Sequence, residues 1–341
     1  MRIIVDIAHP AHVHFFKNFI WEMEKRGHEV IITAGDKEVT LKLLDNYGFK
    51  YHFTCKRTTG YRLMFEIVKR DFQMLKFVKK YNPDIVMGIA STISAHVSRV
   101  TSAKSIVFTD TEHTKLADMI TYPFSDLIVT PSCYSKDLGK KQIRYNGYHE
   151  LAYLHPNYFT PDPAVLEELG LEEGDPFIIM RFVSWGASHD IGHHGIQNKI
   201  EFVKELEKYG RVLITSEGDM GPEFEKYKIK VSPEKLHDLL YYATLYIGEG
   251  ATTASECAIL GTHAIYVNTL RLGYTDEQEE EYDLLYTFSN PDTCEKDALN
   301  KATELLENET LREEGKKKRE KLLSDKIDVT EFMVDFIKNY K

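Results

Sequence analysis

The chain has 341 residues, 43% of them apolar, and a formal net charge of −10 at neutral pH. That length exceeds what one hydrophobic core usually supports, so two domains are expected. No run of about 18 apolar residues is present to make a transmembrane helix, and the four cysteines (Cys55, Cys133, Cys257, Cys294) are too scattered for a disulfide or zinc framework. The charge divides unevenly: the residues through 155 carry a net +6 and the remainder a net −16. Such asymmetry suggests two domains with different partners, although acidic surface helices that keep the second half soluble would give the same count. The opening MRIIVDIAHP reads as a strand ended at Asp6, not as a secretory leader, so a cytoplasmic protein is expected.

In chain order, short apolar strands are predicted at 3–7, 29–33, 51–54, 84–89, 105–108 and 127–130. Helices fall between them near 13–26, 37–47, 62–80, 92–102 and 113–120. Continuous apolar strands alternating with helices indicate a parallel sheet covered on both faces. Residues 155–163, HPNYFTPDP, hold three prolines in nine positions and disfavour both helix and central strand. They are read as a break, with 156–163 as the linker between domains. The pattern then restarts, with strands at 177–182, 211–215, 228–231, 245–247 and 264–267. Helices follow near 195–208, 233–243, 251–260, 276–282 and 294–307. Helices at 310–324 and 328–340 close the chain. The expected organisation is 1–155, linker, 164–325, and a closing helix 326–341 that could return to the first domain. Ligands of open parallel sheets bind beyond the carboxyl ends of the strands, so two such domains facing one another would make one cleft.

Four segments could carry chemistry. The first strand runs into DIAHPAHVHFF, where His9, His12 and His14 stand at a strand-to-helix turn. Histidine there can serve as a general base, or only cap the helix; no second cluster completes a metal site. The second domain opens with FIIMRFVSWGASHDIGHHG. Arg181 ends the strand, and Ser184, Gly186 and Ser188 lie in a small-residue turn suited to an anion. His189, His193 and His194 read as a solvated loop. LYIGEGATTASECAILGTHAIYVN brings Gly248, Gly250, Ala251, Thr252 and Thr253 to a helix start, with Glu256 one to two turns inside. A carboxylate in so small and apolar a helix needs a partner, and a ribose diol supplies two donors. Finally NTLRLGYTDEQEEEY places Arg271, Thr275, Asp276, Glu277 and Gln278 where sugar hydroxyls could be read.

Taken together these segments resemble the GT-B superfamily, two Rossmann-like domains facing a cleft. AHPAHVHFF is similar to the turn ending in His-Val of the bacterial N-acetylglucosaminyltransferase that acts on a polyprenyl-linked muramyl peptide, with His12 on its histidine. GATTASECAILGTHAIYV is similar to the superfamily's small-residue helix, with Glu256 on its ribose-binding glutamate. The non-hydrolysing UDP-N-acetylglucosamine 2-epimerase is also close in pattern, and the whole chain resembles an uncharacterised, largely archaeal family of this clan. Where the transferase has a Gly-rich turn, this chain has Ala8-His9-Pro10-Ala11. Of the epimerase's residues after the second-domain strand only Arg181 corresponds, and its catalytic carboxylates have no counterpart in the sequence pattern.

The resemblance implies a metal-independent glycosyltransferase without a cofactor. It would hold a UDP-sugar on residues 181–278 and use His12 as base toward an acceptor. The alternatives are a UDP-sugar 2-epimerase and a non-catalytic nucleotide-sugar-binding protein. No G-x-G-x-x-G follows either leading strand, against a dinucleotide enzyme, and no nucleic-acid partner is implied. Residues 56–80 carry eight basic residues among Leu63, Met64, Phe65, Val68, Phe72, Leu75 and Phe77. That pattern fits either a helix packed on its own sheet or peripheral contact with an anionic membrane bearing a lipid-linked acceptor.

Overall fold

In a computed structural model, residues 1–37, 39–56, 62–183, 195–216, 218 and 220–340 are described. The chain divides into two compact units, Met1–Tyr158 with Ile327–Lys341, and Phe159–Lys326. The change of unit falls inside the proline-rich stretch.

Unit 1 runs β1 (Arg2–Ile7), α1 (Pro10–Lys25), β2 (Glu29–Asp36), α2 (Thr40–Asn46), β3 (Tyr51–Lys56), α3 (Arg62–Tyr81), β4 (Ile85–Ile89), α4 (Thr92–Ser98), β5 (Lys104–Phe108), α5 (Lys115–Ile120), β6 (Leu127–Pro131), β7 (Gln142–Tyr145) and α6 (Leu151–Leu154). Its seven strands are all parallel, in the order β3-β2-β1-β4-β5-β6-β7. The order reverses between β1 and β4, the switch point where open α/β sheets take ligands. Helix α1 shows how the local sequence builds the unit. Pro10 at its first turn has the φ a helix needs and no N–H to leave unbonded, and His9 caps the start by accepting from Ala11 N–H. Val13, Phe16, Ile20 and Met23 then recur at helical spacing and are buried.

Unit 2 contains α7 (Ala164–Glu167), β8 (Phe177–Phe182), α8 (Lys199–Leu206), β9 (Arg211–Ser216), α9 (Leu236–Tyr242), β10 (Leu245–Gly248), α10 (Ala251–Leu260), β11 (Ala264–Val267), α11 (Gly273–Glu280), β12 (Leu285–Phe288), α12 (Cys294–Leu306) and α13 (Leu311–Asp325). Its sheet is again parallel, ordered β12-β11-β10-β8-β9, with the reversal between β8 and β10. Ile178, Met180, Phe182, Leu245, Ile247, Ile265 and Val267 form the centre of its core. The last helix, α14 (Val329–Asn339), belongs to unit 1, where Thr330 and Asn18 both donate to the Ala152 carbonyl.

The alternating strand-and-helix reading therefore gives the right class, with corrections at the margins. Residues 228–231, expected as a strand, make only one bridge, Lys228 to Ile214. Two strands were not anticipated, β7 and β12, and both lie at sheet edges. An edge strand need not be a continuous apolar run: β7 is Gln-Ile-Arg-Tyr and only Tyr145 in it is buried. The helix expected over 92–102 ends at Ser98.

Candidate functional site

At the switch point of unit 2 the register puts Gly248 directly beside Arg181. A methyl group on Gly248 would collide with the Tyr246 hydroxyl and lie 2.8 Å from the Arg181 carbonyl oxygen. One on Gly250 would lie 3.3 Å from Arg181 Nε. Gly248 thus leaves room for the Tyr246 hydroxyl, and Gly250 lets the Arg181 side chain approach the start of α10. Gly250 caps that ten-residue helix without any side-chain hydrogen bond, so guanidinium and helix N-terminus together make a positive locus. The Tyr246 hydroxyl donates to the Gly250 carbonyl at 3.3 Å, and burial pushes its pKa well up, keeping it a donor.

Glu249, between the glycines, was not singled out by the sequence reading. It is almost wholly buried, and its carboxylate accepts from Val183 N–H and Ile196 N–H, both at 2.9 Å. It thus ties down both flanks of segment 184–194, while Asn268 Nδ2 holds the Glu249 carbonyl at 3.1 Å. A glutamate between two glycines at a strand end was the available signal. Ser184, Gly186 and Ser188, with His189, His193 and His194, lie outside the described residues.

Within α10, Ala251 is half-buried, Thr252 exposed, and Thr253 buried. Glu256 is 5% exposed, and the partner its burial demands is supplied by the fold: His237 Nε2, from α9, lies 2.9 Å from Glu256 Oε1. The inference that a buried carboxylate here points to a ribose is thereby weakened, because His237 already meets the need. The carboxylate still has acceptor positions for a diol, having about four lone-pair sites in all. Gln278 is fully buried and donates to Ser255 Oγ at 2.8 Å, locking α11 to α10. This bond packs the two helices together. Asp276 is half-buried and bonded at 2.9 Å by Arg271 Nε.

In unit 1 the three N-terminal histidines separate. His9 is the cap of α1. His14 is buried against the Tyr153 and Tyr47 rings. His12 is half-buried beside β1, and its Nδ1 accepts from Ala8 N–H at 3.3 Å. Since an amide N–H only donates, neutral His12 carries its proton on Nε2; to act as a base it must release that long contact and use Nδ1.

The carboxyl edge of unit 1 also gathers groups the sequence reading missed. Asp6 is buried and accepts from Thr33 Oγ1 (3.0 Å) and Ser91 Oγ (2.8 Å), with Arg70 Nη2 3.5 Å away. Arg70, counted above among the basic residues of a membrane face, is therefore turned inward. Beyond β5 and β7, Asp110 and His149 pair at 2.9 Å, and Glu112 and Glu150 are buried nearby in sequence. Burial alone would raise the Asp110 carboxyl, but His149 and a bond from Thr111 outweigh it and hold it below the usual range. Carboxylates thus do stand at this edge, although the sequence pattern offered none. Among the described residues no group of three or more His, Cys, Asp or Glu could hold a metal.

Known proteins share this architecture. The S. aureus MnaA–UDP co-structure superposes with a TM-score of 0.69 at 12% identity, over 100% of this chain and 97% of that one. Spinosyn rhamnosyltransferase SpnG gives 0.65 at 13% over the whole of both chains. UDP-GlcNAc 2-epimerase from Neisseria meningitidis bound to UDP-GlcNAc gives 0.64 at 12%, over 99% and 100%. At such identities the likeness is one of fold, and the fold is that of GT-B glycosyltransferases and UDP-GlcNAc 2-epimerases. In sequence, an uncharacterised protein of Methanocaldococcus jannaschii is 25% identical over 276 residues, 76% of this chain and 80% of that one. Residues 1–341 match throughout the family described as protein of unknown function DUF354, and the chain belongs to that family.

Proposed function

We propose that this protein is a glycosyltransferase that binds a UDP-sugar on unit 2 and passes the sugar to an acceptor hydroxyl. The observation that carries the reading is the passage of Arg181 over Gly250 at the uncapped start of α10. In the transfer, the acceptor oxygen attacks the anomeric carbon, the bond from that carbon to the diphosphate oxygen breaks, and UDP departs with the electron pair. Arg181 and the helix N-terminus neutralise the charge that grows on the diphosphate. Thr252 and Thr253 are candidates for phosphate or ribose contacts, and Glu256 for the ribose hydroxyls. His12, freed from Ala8, takes the acceptor's proton. The fold's known occupants, which include proteins solved with UDP and UDP-GlcNAc, support a nucleotide-sugar as donor.

Epimerisation is the second reading, favoured by the buried Asp110, Glu112 and Glu150. Moving a proton off and onto a sugar carbon needs such groups. Incubation with UDP-sugars alone decides between them. A transferase leaves the sugar's configuration unchanged until an acceptor is added, whereas an epimer formed without acceptor overturns transfer. Tight UDP binding with neither product would leave a binding protein.

A lipid-linked acceptor is part of the proposal. Helix α3 packs Met74 and Val78 into the unit and leaves Val68 and Phe72 exposed, at 53% and 64%. His96 bonds Asp71 on α3 and the Ile120 carbonyl closing α5, both at 2.8 Å. It thereby brings α3 close to α5, whose Leu116 and Met119 are also exposed. Lys69, Lys76, Lys79, Lys80 and Lys115 are exposed on the same helices. Exposed apolar groups and lysines on the same helices suit an anionic bilayer surface. Among the described residues no helix is long and apolar enough to cross a membrane.

A further inference from the structure

We infer that His237 is a positioning residue for the nucleotide: by fixing the Glu256 carboxylate, it sets how strongly the site prefers a ribose with its hydroxyls to one without. The inference rests on the reading of Glu256 as ribose ligand. The pair is enclosed, with side-chain exposures of 4% for His237 and 6% for Glu256 at 2.9 Å. An ionised carboxylate only accepts, so His237 Nε2 is the donor and the imidazole holds its proton there. The surroundings of the histidine are packed. The Phe159 ring stands edge-on to it at 6.4 Å, and Thr262 Oγ1 ties the Leu240 carbonyl of α9 to the end of α10 at 2.8 Å.

A glutamate has three rotatable side-chain bonds, and ordering them is a cost that falls on folding or on binding. With Oε1 bonded to His237, that ordering is done before any ligand arrives. A pre-set carboxylate discriminates well between a diol and its deoxy analogue, because a hydroxyl lost opposite a fixed, buried acceptor leaves that acceptor unmet. A carboxylate free to swing finds other partners and discriminates poorly. The sequence offers no sign of this, since positions 237 and 256 lie on different helices.

The test is calorimetric titration with UDP and with 2′,3′-dideoxy-UDP, comparing the ratio of their affinities across variants. Wild type should prefer UDP by roughly tenfold or more, as expected for charge-assisted bonds to the diol. His237→Met, which fills the space without a donor, should narrow the ratio to about threefold or less, and His237→Gln, whose amide can reach Oε1, should restore most of it. His237→Ala serves if the Met variant does not fold, and His237→Phe, which also lacks a donor, if neither does. A donor-less variant that weakens both ligands equally, keeping the ratio, shows a merely structural histidine and overturns the inference, as does an unchanged ratio at unchanged affinity in such a variant. A wild-type ratio near one instead removes Glu256 from the ribose, a failure of the underlying reading visible before any variant is made.

Discussion

The two sheets end in opposite ways. At the switch point of unit 1, the carboxyl edge is filled with side chains: Asp6 with Thr33, Ser91 and Arg70, and Asp110 with His149 nearby on the same edge. At the switch point of unit 2 glycines flank a single buried acid: Gly248 and Gly250 stand on either side of Glu249, and Arg181 passes close to Gly250 at a helix start with no side-chain cap. A rim of paired acids and bases can hold and move protons. A rim of glycines beside a guanidinium can let an anion reach backbone N–H groups. Under the proposed function, unit 2 would bind the nucleotide and unit 1 would supply the proton chemistry.

That division makes variants in the two units fail differently. His12→Ala should lower turnover by ~10²–10⁴-fold, the usual loss of a general base, with UDP affinity by calorimetry unchanged. Equal turnover would take His12 out of the mechanism. A parallel loss of UDP affinity would dissolve the division itself.

Next in size is Asp110→Asn, which should cost about 1.5–3 kcal/mol in urea unfolding, the range for a hydrogen bond to a charged group. Its pH dependence is the sharper readout. The folded carboxyl lies below the usual value, so the unfolded chain binds the proton more readily. The stabilisation is therefore complete above about pH 4 and is lost as pH falls through the folded value. Wild type should lose its advantage over Asp110→Asn in that acid window; a constant difference from pH 7 to pH 2 would refute the pairing.

In unit 2, Arg181→Ala and Glu256→Ala should each weaken UDP about tenfold or more, since 1.4 kcal/mol is a factor of ten, while Glu256→Gln is milder because an acceptor oxygen remains. Circular dichroism should show all three folded. Unaltered UDP binding in folded Arg181→Ala would remove the central support of the proposed function.

The smallest expected effect concerns the lipid surface. Phe72→Ser should reduce sedimentation with anionic vesicles at low salt by roughly fivefold, the equivalent of about 1 kcal/mol of apolar contact. Equal recovery of the wild type with neutral and anionic vesicles would count against membrane contact altogether.

Much of this was legible in the sequence. The apolar strands and intervening helices indicated the parallel class because central strands such as β1 and β4 are buried on both faces and so are largely apolar, with Asp6 near the end of β1 the buried exception. The glycines at 248 and 250 were legible because a strand leading into small residues has few other uses. The edge strand β7 was not, since one partner and partial exposure relax the pattern, nor was β12, which is four residues long and carries Thr287 among its buried positions. The burial of Gln278 and its bond to Ser255 were not legible either, being a contact between two helices that spacing within one of them does not report. The carboxylates of unit 1 were missed because Asp110 and His149 are 39 positions apart, and spacing reports only neighbours on one element.

The sequence by itself determined the architecture, because burial periodicity is a local property that each segment carries alone. It also marked two turns of unit 2, at 184–188 and at the start of α10, as candidates for an anion, because glycine is identified by composition and strand ends by pattern. Only the tertiary structure decided what each charged group is paired with. Glu256 with His237, Asp6 with Ser91, and Glu249 with the flanks of 184–194 are contacts between separate elements. Whether a buried carboxylate is satisfied or waiting for a ligand depends on those contacts, since the cost of burying a charge is set by whatever the fold brings to meet it.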